Sequence, residues 1–325
     1  MNKKRALSGI KPTGDIHLGN YFGAFQEFLA LQNNKNIENL YFIADYHALN
    51  EIPDPKLLKE RTINIFKAFI ALGLDPEKSI IFVQSDVPEH TELCWLLSGV
   101  TPMGLLERAH AYKDAITKQK NVNMGLFNYP LLQAADILIY DADLVPVGAD
   151  QKQHVEITRD IAEKFNREYG DIFTIPEPLI QNAVAIVPGT DGQKMSKSKN
   201  NTIPIFASEK EIKKSIMNIT TDSTPLENPK DPNNCSIFLL YKMFASSEQI
   251  EKMRQNYLNG GYGYGHAKTE LFEIIMHCFE SARKKMLELN SSPDEVFHLM
   301  KLGAEKARII AHSKIDKVKK VMGLG

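Results

Sequence analysis

Ser8–Asn20, SGIKPTGDIHLGN, decides how the rest of the chain is read. A short β-rich run, Arg5–Gly9, enters a loop of glycine, proline and threonine, and a helical pattern opens near His17. Strand, loop and helix in that order begin a β-α-β fold. A helix N-terminus presents unpaired N–H groups and the positive end of the helix dipole, so this loop suits an anion such as a phosphate. Gly19 has no side chain, which lets a ligand lie against backbone, while His17 and Asn20 bring hydrogen-bond donors. Taken alone, HLGN fits a plain turn with a chance histidine equally well.

The alternation continues outward from this stretch. Leu40–Ala44, Ser79–Gln84, Leu144–Val147 and Ala183–Val187 read as strands, and His17–Leu31 as a helix. Asp54 can cap a second helix with Pro55 at its first position, running to Leu72. The pattern predicts an α/β fold built on a Rossmann-like, doubly wound parallel sheet. From Ile205 onward the strand signal ends. Ser208–Ile219, Ser236–Phe244, Ser247–Tyr257, Lys268–Leu289 and Pro293–Val321 read as helices, punctuated by Thr224–Asn234 and Gly260–Gly265. We expect a catalytic domain over 1–203 and an all-helical domain over 204–325, whose last helix packs back toward the first.

A second stretch, Asp191–Asn201 (DGQKMSKSKNN), crowds lysines and serines into a polar loop after a Pro188–Gly189 turn. Such a loop can close on a triphosphate and reopen. Lys194 and Lys197 can neutralise charge that develops as pyrophosphate leaves. Between the two stretches, Tyr129, Gln133 and Asp136 recur at helical spacing among leucines, alanines and isoleucine. An acid on so apolar a helix is buried and needs a partner, either a ligand or another side chain.

Bulk composition narrows the classes. A net charge of −1 gives no global positive field, so any nucleic-acid contact must come from local patches. Cys94, Cys235 and Cys278 are widely spaced with no CxxC pair, which argues against a disulfide framework, a zinc site or an iron–sulfur cluster. MNKKRALSGI lacks the apolar run of a signal peptide, and no apolar stretch approaches the roughly 20 residues needed to span a bilayer. We expect no membrane association and a cytoplasmic protein.

HLGN as an HIGH-like motif near the start, together with KMSKS after a later strand, resembles the class I aminoacyl-tRNA synthetases. SGIKPTG, YPLLQAADIL, VPVGADQKQH, TRDIAEKFN and the terminal VMGLG extend the likeness, in order, to the bacterial tryptophanyl-tRNA synthetase family. The resemblance implies activation of L-tryptophan by ATP with Mg2+ and transfer to tRNA(Trp) by a homodimer. It implies ATP binding at Lys11, Pro12, Thr13, His17, Gly19, Asn20, Gly148, Ala149, Asp150, Ile186, Val187, Lys194, Met195, Ser196, Lys197 and Ser198. Lys194, Lys197, Lys113 and Asn20 carry the catalytic assignment. For tryptophan it implies Asp136 as acceptor of the indole N–H, Val145 and Val147 against the ring with His47 nearby, and Tyr129, Gln133 and Gln151 around the substrate. Two positions depart from the family pattern: Gln133 stands where many members carry methionine, and Leu7 where some carry an aromatic ring. Tyrosyl-tRNA synthetases hold the ammonium group with a glutamine at the former, so tyrosine is the alternative substrate. A small-molecule adenylyl- or nucleotidyltransferase would not need the added helical domain, and a silent RNA-binding relative would be expected to lose the KMSKS lysines or the acid at 136, which are intact here. Lys301, Lys306, Lys314, Lys317, Lys319 and Lys320 are candidates for tRNA phosphates, although a solvated helix face is the better reading of any single one.

Overall fold

The computed structural model describes residues 3–117, 122–148, 151–180 and 186–324. Ala149 and Asp150, assigned above to nucleotide binding, lie outside the described residues, as does most of the expected strand Ala183–Val187.

The elements run β1 (Lys4–Ile10), α1 (Leu18–Asn20), α2 (Gln26–Gln32), β2 (Ile37–Ile43), α3 (Asp45–Ala48), α4 (Pro55–Ala71) and β3 (Ser79–Val83). Then follow α5 (Glu89–Ser98), α6 (Met103–Glu107), α7 (His110–Thr117), α8 (Met124–Leu138), β4 (Leu144–Val147), α9 (Lys152–Tyr169) and β5 (Glu177–Ile180). The chain finishes with α10 (Glu209–Met217), α11 (Ser236–Tyr241), α12 (Ser247–Asn259), α13 (Tyr264–Cys278), α14 (Glu280–Ser291) and α15 (Pro293–Val321). Contacts divide these into two compact units. One comprises Met1–Thr13, Glu27–Asn182 and Ser292–Gly325; the other comprises Gly14–Gln26 and Ala183–Ser291.

The first unit holds a five-stranded sheet in the order β3-β2-β1-β4-β5, with every pair parallel. Both faces are covered, so the strands are continuously apolar rather than alternating; Leu40, Tyr41, Phe42 and Ile43 of β2 are all buried. Chain order reverses between β1 and β4, and ligands of open α/β sheets bind beyond the carboxyl ends at such a point. Lys11, Pro12 and Thr13 leave β1 there, and Gly148 leaves β4. Local signals fix the helices. The Asp54 carboxylate accepts from the N–H groups of Lys56 (2.9 Å) and Leu57 (3.3 Å), with Pro55 at the first position of α4. Along β3 lies α15, and a Cβ on Gly303 would fall 1.7 Å from the Ile81 carbonyl oxygen, so only glycine allows this approach.

Several boundaries differ from the sequence reading. The expected helix His17–Leu31 is three pieces, since a π-helical turn, Tyr21–Phe25, separates α1 from α2. Among the described residues the sheet gains a strand that the sequence reading did not give, Glu177–Ile180, where Pro176 and Pro178 mask the strand pattern. Lys268–Leu289 is not one helix: α13 ends at Cys278 and α14 begins at Glu280. The last helix, α15, lies in the sheet-bearing unit, and its Lys314, expected among the solvent-facing lysines, is buried, donating to Asp141 Oδ1 (2.6 Å) and to the Ile172 carbonyl (2.8 Å). That removes Lys314 from the lysines available to a phosphate.

Candidate active site

The apolar helix α8 sets the first region. Leu131, Ala134, Ala135, Ile137 and Leu138 are buried, and Asp136 among them is 1% exposed. Its partners come from the chain itself. His47 Nε2 lies 2.8 Å from Oδ2, while Gln84 Nε2 and His90 Nδ1 lie 2.7 and 2.6 Å from Oδ1. An ionised carboxylate only accepts, so each facing imidazole nitrogen carries its proton. Burial by itself would raise the Asp136 carboxyl, but the hydrogen bonds and charge of His47 and His90 outweigh it and hold it at about 2. The acid is ionised because four elements converge on it: α8, α3, the turn after β3, and α5.

The contacts continue outward. His90 Nε2 lies 2.8 Å from the Tyr140 hydroxyl, and the Gln84 side-chain oxygen accepts from the Tyr46 N–H at 3.1 Å. Burial, then the charges of Asp136 and Glu89, push the Tyr140 phenol well above its ordinary value, so it remains protonated. Burial, reinforced by Asp136, likewise pushes the Cys94 thiol up to about 12. Nearby, Tyr129 is hydrogen-bonded through its hydroxyl to His154 Nε2, and its ring meets the His47 ring edge-on at 6.1 Å. Val145 is buried and Val147 is half-buried on the same face of β4; Gln133 and Gln151 are half-buried. Asp136, His47 and Tyr129 are thus brought together within one unit.

The second region joins the two quoted motifs. His17 precedes α1 in an extended conformation, and its N–H donates to Asn20 Oδ1 at 3.2 Å. A Cβ on Gly19 would lie 2.9 Å from His17 Cε1, so the ring occupies the space that glycine vacates. The Gly19 N–H points to Met195 Sδ at 3.2 Å, and Lys197 Nζ donates to the Gly14 carbonyl at 2.9 Å. HLGN and KMSKS therefore touch directly. Burial, then the Lys197 charge, lowers the His17 imidazole from 6.5 to about 4, leaving it neutral near pH 7. Its Nδ1 is buried with no hydrogen-bond partner among the described residues.

Backbone anchoring sets the loop. Asn201, 2% exposed, accepts from the Ser196 N–H at 2.7 Å and donates to the Lys194 carbonyl (3.2 Å) and to Asp191 (2.6 Å). The Met195 N–H donates to the Val187 carbonyl at 2.9 Å. Met195 and Val187 are buried, whereas Lys194, Ser198 and Ile186 are exposed. A fixed backbone thus presents lysine and serine side chains to solvent, where charge can be offered to a polyanion.

The remaining candidates have contacts of their own. Lys11 is ion-paired with Glu51, and the Thr13 carbonyl accepts from Arg61 at 3.2 Å. Lys113 is exposed on α7. The Gly148 carbonyl accepts from the Gln151 N–H at 2.9 Å. Sequence reasoning missed Gln84, His90, Tyr140, His154 and Asn201. His90 had a usable signal: Leu93 and Leu97 follow it at helical spacing, so it must face the core. The others reach their partners only through tertiary contacts.

Among the described residues no group of histidine, cysteine and carboxylate side chains is placed to hold a metal, and no helix is long and apolar enough to cross a membrane. Residues 1–280 match the family model described as tRNA synthetases class I (W and Y). The tryptophan–tRNA ligase of Fusobacterium nucleatum is 55% identical over 322 residues, covering 99% of this chain and 98% of that protein. The Campylobacter jejuni tryptophan–tRNA ligase is 49% identical over 98% of this chain and 100% of its own length. The crystal structure of tryptophanyl-tRNA synthetase from Campylobacter jejuni, complexed with ADP and tryptophan, superposes with a TM-score of 0.95 at 49% identity, covering 98% of this chain and 100% of that one. Taken with the parallel sheet and the paired HLGN and KMSKS motifs, these likenesses mean that the chain belongs to the tryptophan–tRNA ligases, in the W and Y branch of the class I tRNA synthetases.

Proposed function

We propose that this chain activates L-tryptophan with ATP, forming tryptophanyl-adenylate and pyrophosphate, and then transfers the aminoacyl group to tRNA(Trp). The observation that carries the amino-acid choice is Asp136, an ionised acceptor enclosed by an apolar helix. Indole is a large apolar plate with one donor, and such a site matches it: apolar surface for the ring and one acceptor for the N–H. Val145 and Val147 supply the apolar side, with His47 beside them. Tyr129 and Gln151 hold the substrate's ammonium, and Gln133 completes the proposed tryptophan set.

The substrate carboxylate attacks the α-phosphorus of ATP in line, and the magnesium complex of pyrophosphate leaves. Magnesium enters with the nucleotide as part of the substrate. Chemistry of this kind depends on positioning and on stabilising charge, so no general base is assigned. His17, Gly19, Asn20 and the loop Lys194–Ser198 handle phosphate, with Ile186 and Val187 beside them. Neutral His17 can offer or accept one hydrogen bond without adding charge, and Lys194 and Lys197 meet the charge that develops on the leaving group. Lys11, Pro12, Thr13, Lys113, Gly148, Ala149 and Asp150 complete the proposed nucleotide set. The catalytic part is taken to span 1–203 and the tRNA-facing helical part 204–325, in a cytoplasmic enzyme.

A homodimer is part of the proposal. Trp95 (78% exposed), Met103 (68%) and Met124 (67%) lie on α5, α6 and α8. Large apolar side chains left in water are candidates for a two-fold interface with a second copy of this chain. Sedimentation should give twice the chain mass, with Trp95→Glu shifting it to the monomer.

Pyrophosphate exchange measured with each of the twenty amino acids tests the central reading. Exchange with tryptophan alone is the expected result. Exchange with tyrosine instead would overturn the choice of amino acid.

A further inference from the structure

Asp136 is the only carboxylate that the reading above uses for amino-acid choice, and three side chains besides any substrate already hold it. Two of them, Gln84 and His90, are fully buried and share one oxygen, Oδ1. A carboxylate has about four acceptor positions. With Oδ1 doubly occupied and Oδ2 bonded, among the described residues, to His47 alone, the remaining position is on Oδ2.

His90 is itself held. Its Nδ1 donates to Asp136, and its Nε2 faces the Tyr140 hydroxyl at 2.8 Å. Tyr140 is buried, and its ring packs at 5.5 Å from Phe82 and 5.4 Å from His90. When the imidazole is neutral, Nδ1 carries the proton and Nε2 must accept from the Tyr140 O–H. That hydrogen bond selects the tautomer able to donate to the acid. Exchanging the tautomer would aim a lone pair at a buried carboxylate, an arrangement that the low-dielectric interior makes costly.

We propose that Gln84, His90 and Tyr140 are positioning residues for amino-acid selection: they clamp Asp136 through Oδ1 so that its free Oδ2 position is presented to the indole N–H. The proposal rests on the reading that Asp136 accepts that N–H. None of the three touches substrate under this scheme. They act by fixing the direction and ionisation of one acceptor, which is what lets a site reject a ring of the same shape without a donor.

The probe is the tryptophan analogue whose indole is replaced by benzothiophene, with sulfur in place of the N–H. Pyrophosphate exchange is measured for both substrates with the intact enzyme and with Tyr140→Phe, His90→Leu and His90→Asn. The intact enzyme should prefer tryptophan by at least about 100-fold. His90→Leu should lower kcat/KM for tryptophan by about 10- to 100-fold, through KM, with the analogue changed less than about threefold, so the preference collapses. Tyr140→Phe should shrink it by about three- to tenfold. His90→Asn, whose amide can donate in place of Nδ1, should recover most of it. KM for ATP should stay unchanged throughout.

An unchanged preference in the His90 and Tyr140 variants overturns the positioning role while leaving Asp136 as the acceptor. So does an equal loss for both substrates, the mark of a residue that merely supports the fold. An intact enzyme with no preference overturns the Asp136 reading itself. Should His90→Leu not fold, Tyr140→Phe and His90→Asn decide the matter, because the first removes only one hydroxyl and the second keeps a donor facing Asp136.

Discussion

The Asp136 pocket and the HLGN–KMSKS cluster solve opposite problems. Asp136 is enclosed and bonded side chain to side chain to His47, Gln84 and His90, at 2.6 to 2.8 Å. In the KMSKS loop the pairs run mainly to backbone, through Asn201, Met195 and Gly14, and the lysine and serine ends of Lys194 and Ser198 stay in water. A buried acceptor suits discrimination, because a substrate lacking its donor leaves the site unsatisfied. An exposed cationic loop suits turnover, because it can engage a polyanion and release it. On the proposed reading, where the chain stores its charge separates what it selects from what it accelerates.

Four experiments break or sharpen that contrast, beginning with the largest effect. Lys197→Ala removes a cation from the loop and should lower the rate of pyrophosphate exchange by about 100- to 1000-fold, with KM for tryptophan little changed. Near-normal exchange in this variant would remove Lys197 from the chemistry. Asp136→Asn is the opposite case. It replaces an acceptor facing three donors, so kcat/KM for tryptophan should fall by about 100-fold, mostly in KM, and thermal stability should fall with it. Parallel loss of affinity for ATP would blur the separation.

Gly19→Ala tests the joint between the motifs. The added methyl meets the His17 ring at 2.9 Å, so ring and loop must shift, and exchange should slow on the order of tenfold while tryptophan affinity holds. Equilibrium binding of tryptophan beside the exchange rate checks both halves. The smallest effect concerns pH. His17 titrates near 4 in the fold and near 6.5 when unfolded, so the unfolded chain binds its proton more readily. Its contribution to stability is complete above pH 6.5 and is lost as pH falls from there toward 4. Thermal melts at pH 7 and pH 5 should show a larger drop for the parent chain than for His17→Gln, by on the order of 2 °C. Identical drops would mean that His17 is not held neutral.

Much of this was legible in the residues. The β-α-β alternation, the Asp54–Pro55 helix start and the buried acid on α8 all follow from local pattern: period, caps and a charge surrounded by leucine and alanine. The breaks were not. The π turn at Tyr21–Phe25 and the interruption at Phe279 leave the apolar spacing intact, so no local signal marks them. Pro176 and Pro178 hide β5, which survives because it is an edge strand.

The sequence by itself determined the class of fold, the family and the identity of the acid that needs a partner, because hydrophobic period and motif order are properties of neighbours along the chain. Only the tertiary structure decided which partners it has. Gln84 and His90 lie 52 and 46 residues from Asp136, and His47 lies 89 away. A hydrogen bond extends only about 3 Å, so nothing short of the packed sheet brings such residues within reach, and burial then makes those bonds decide the charge on Asp136. The same holds for Met195 against Gly19, 176 positions apart, where folding turns two separate sequence motifs into one contact.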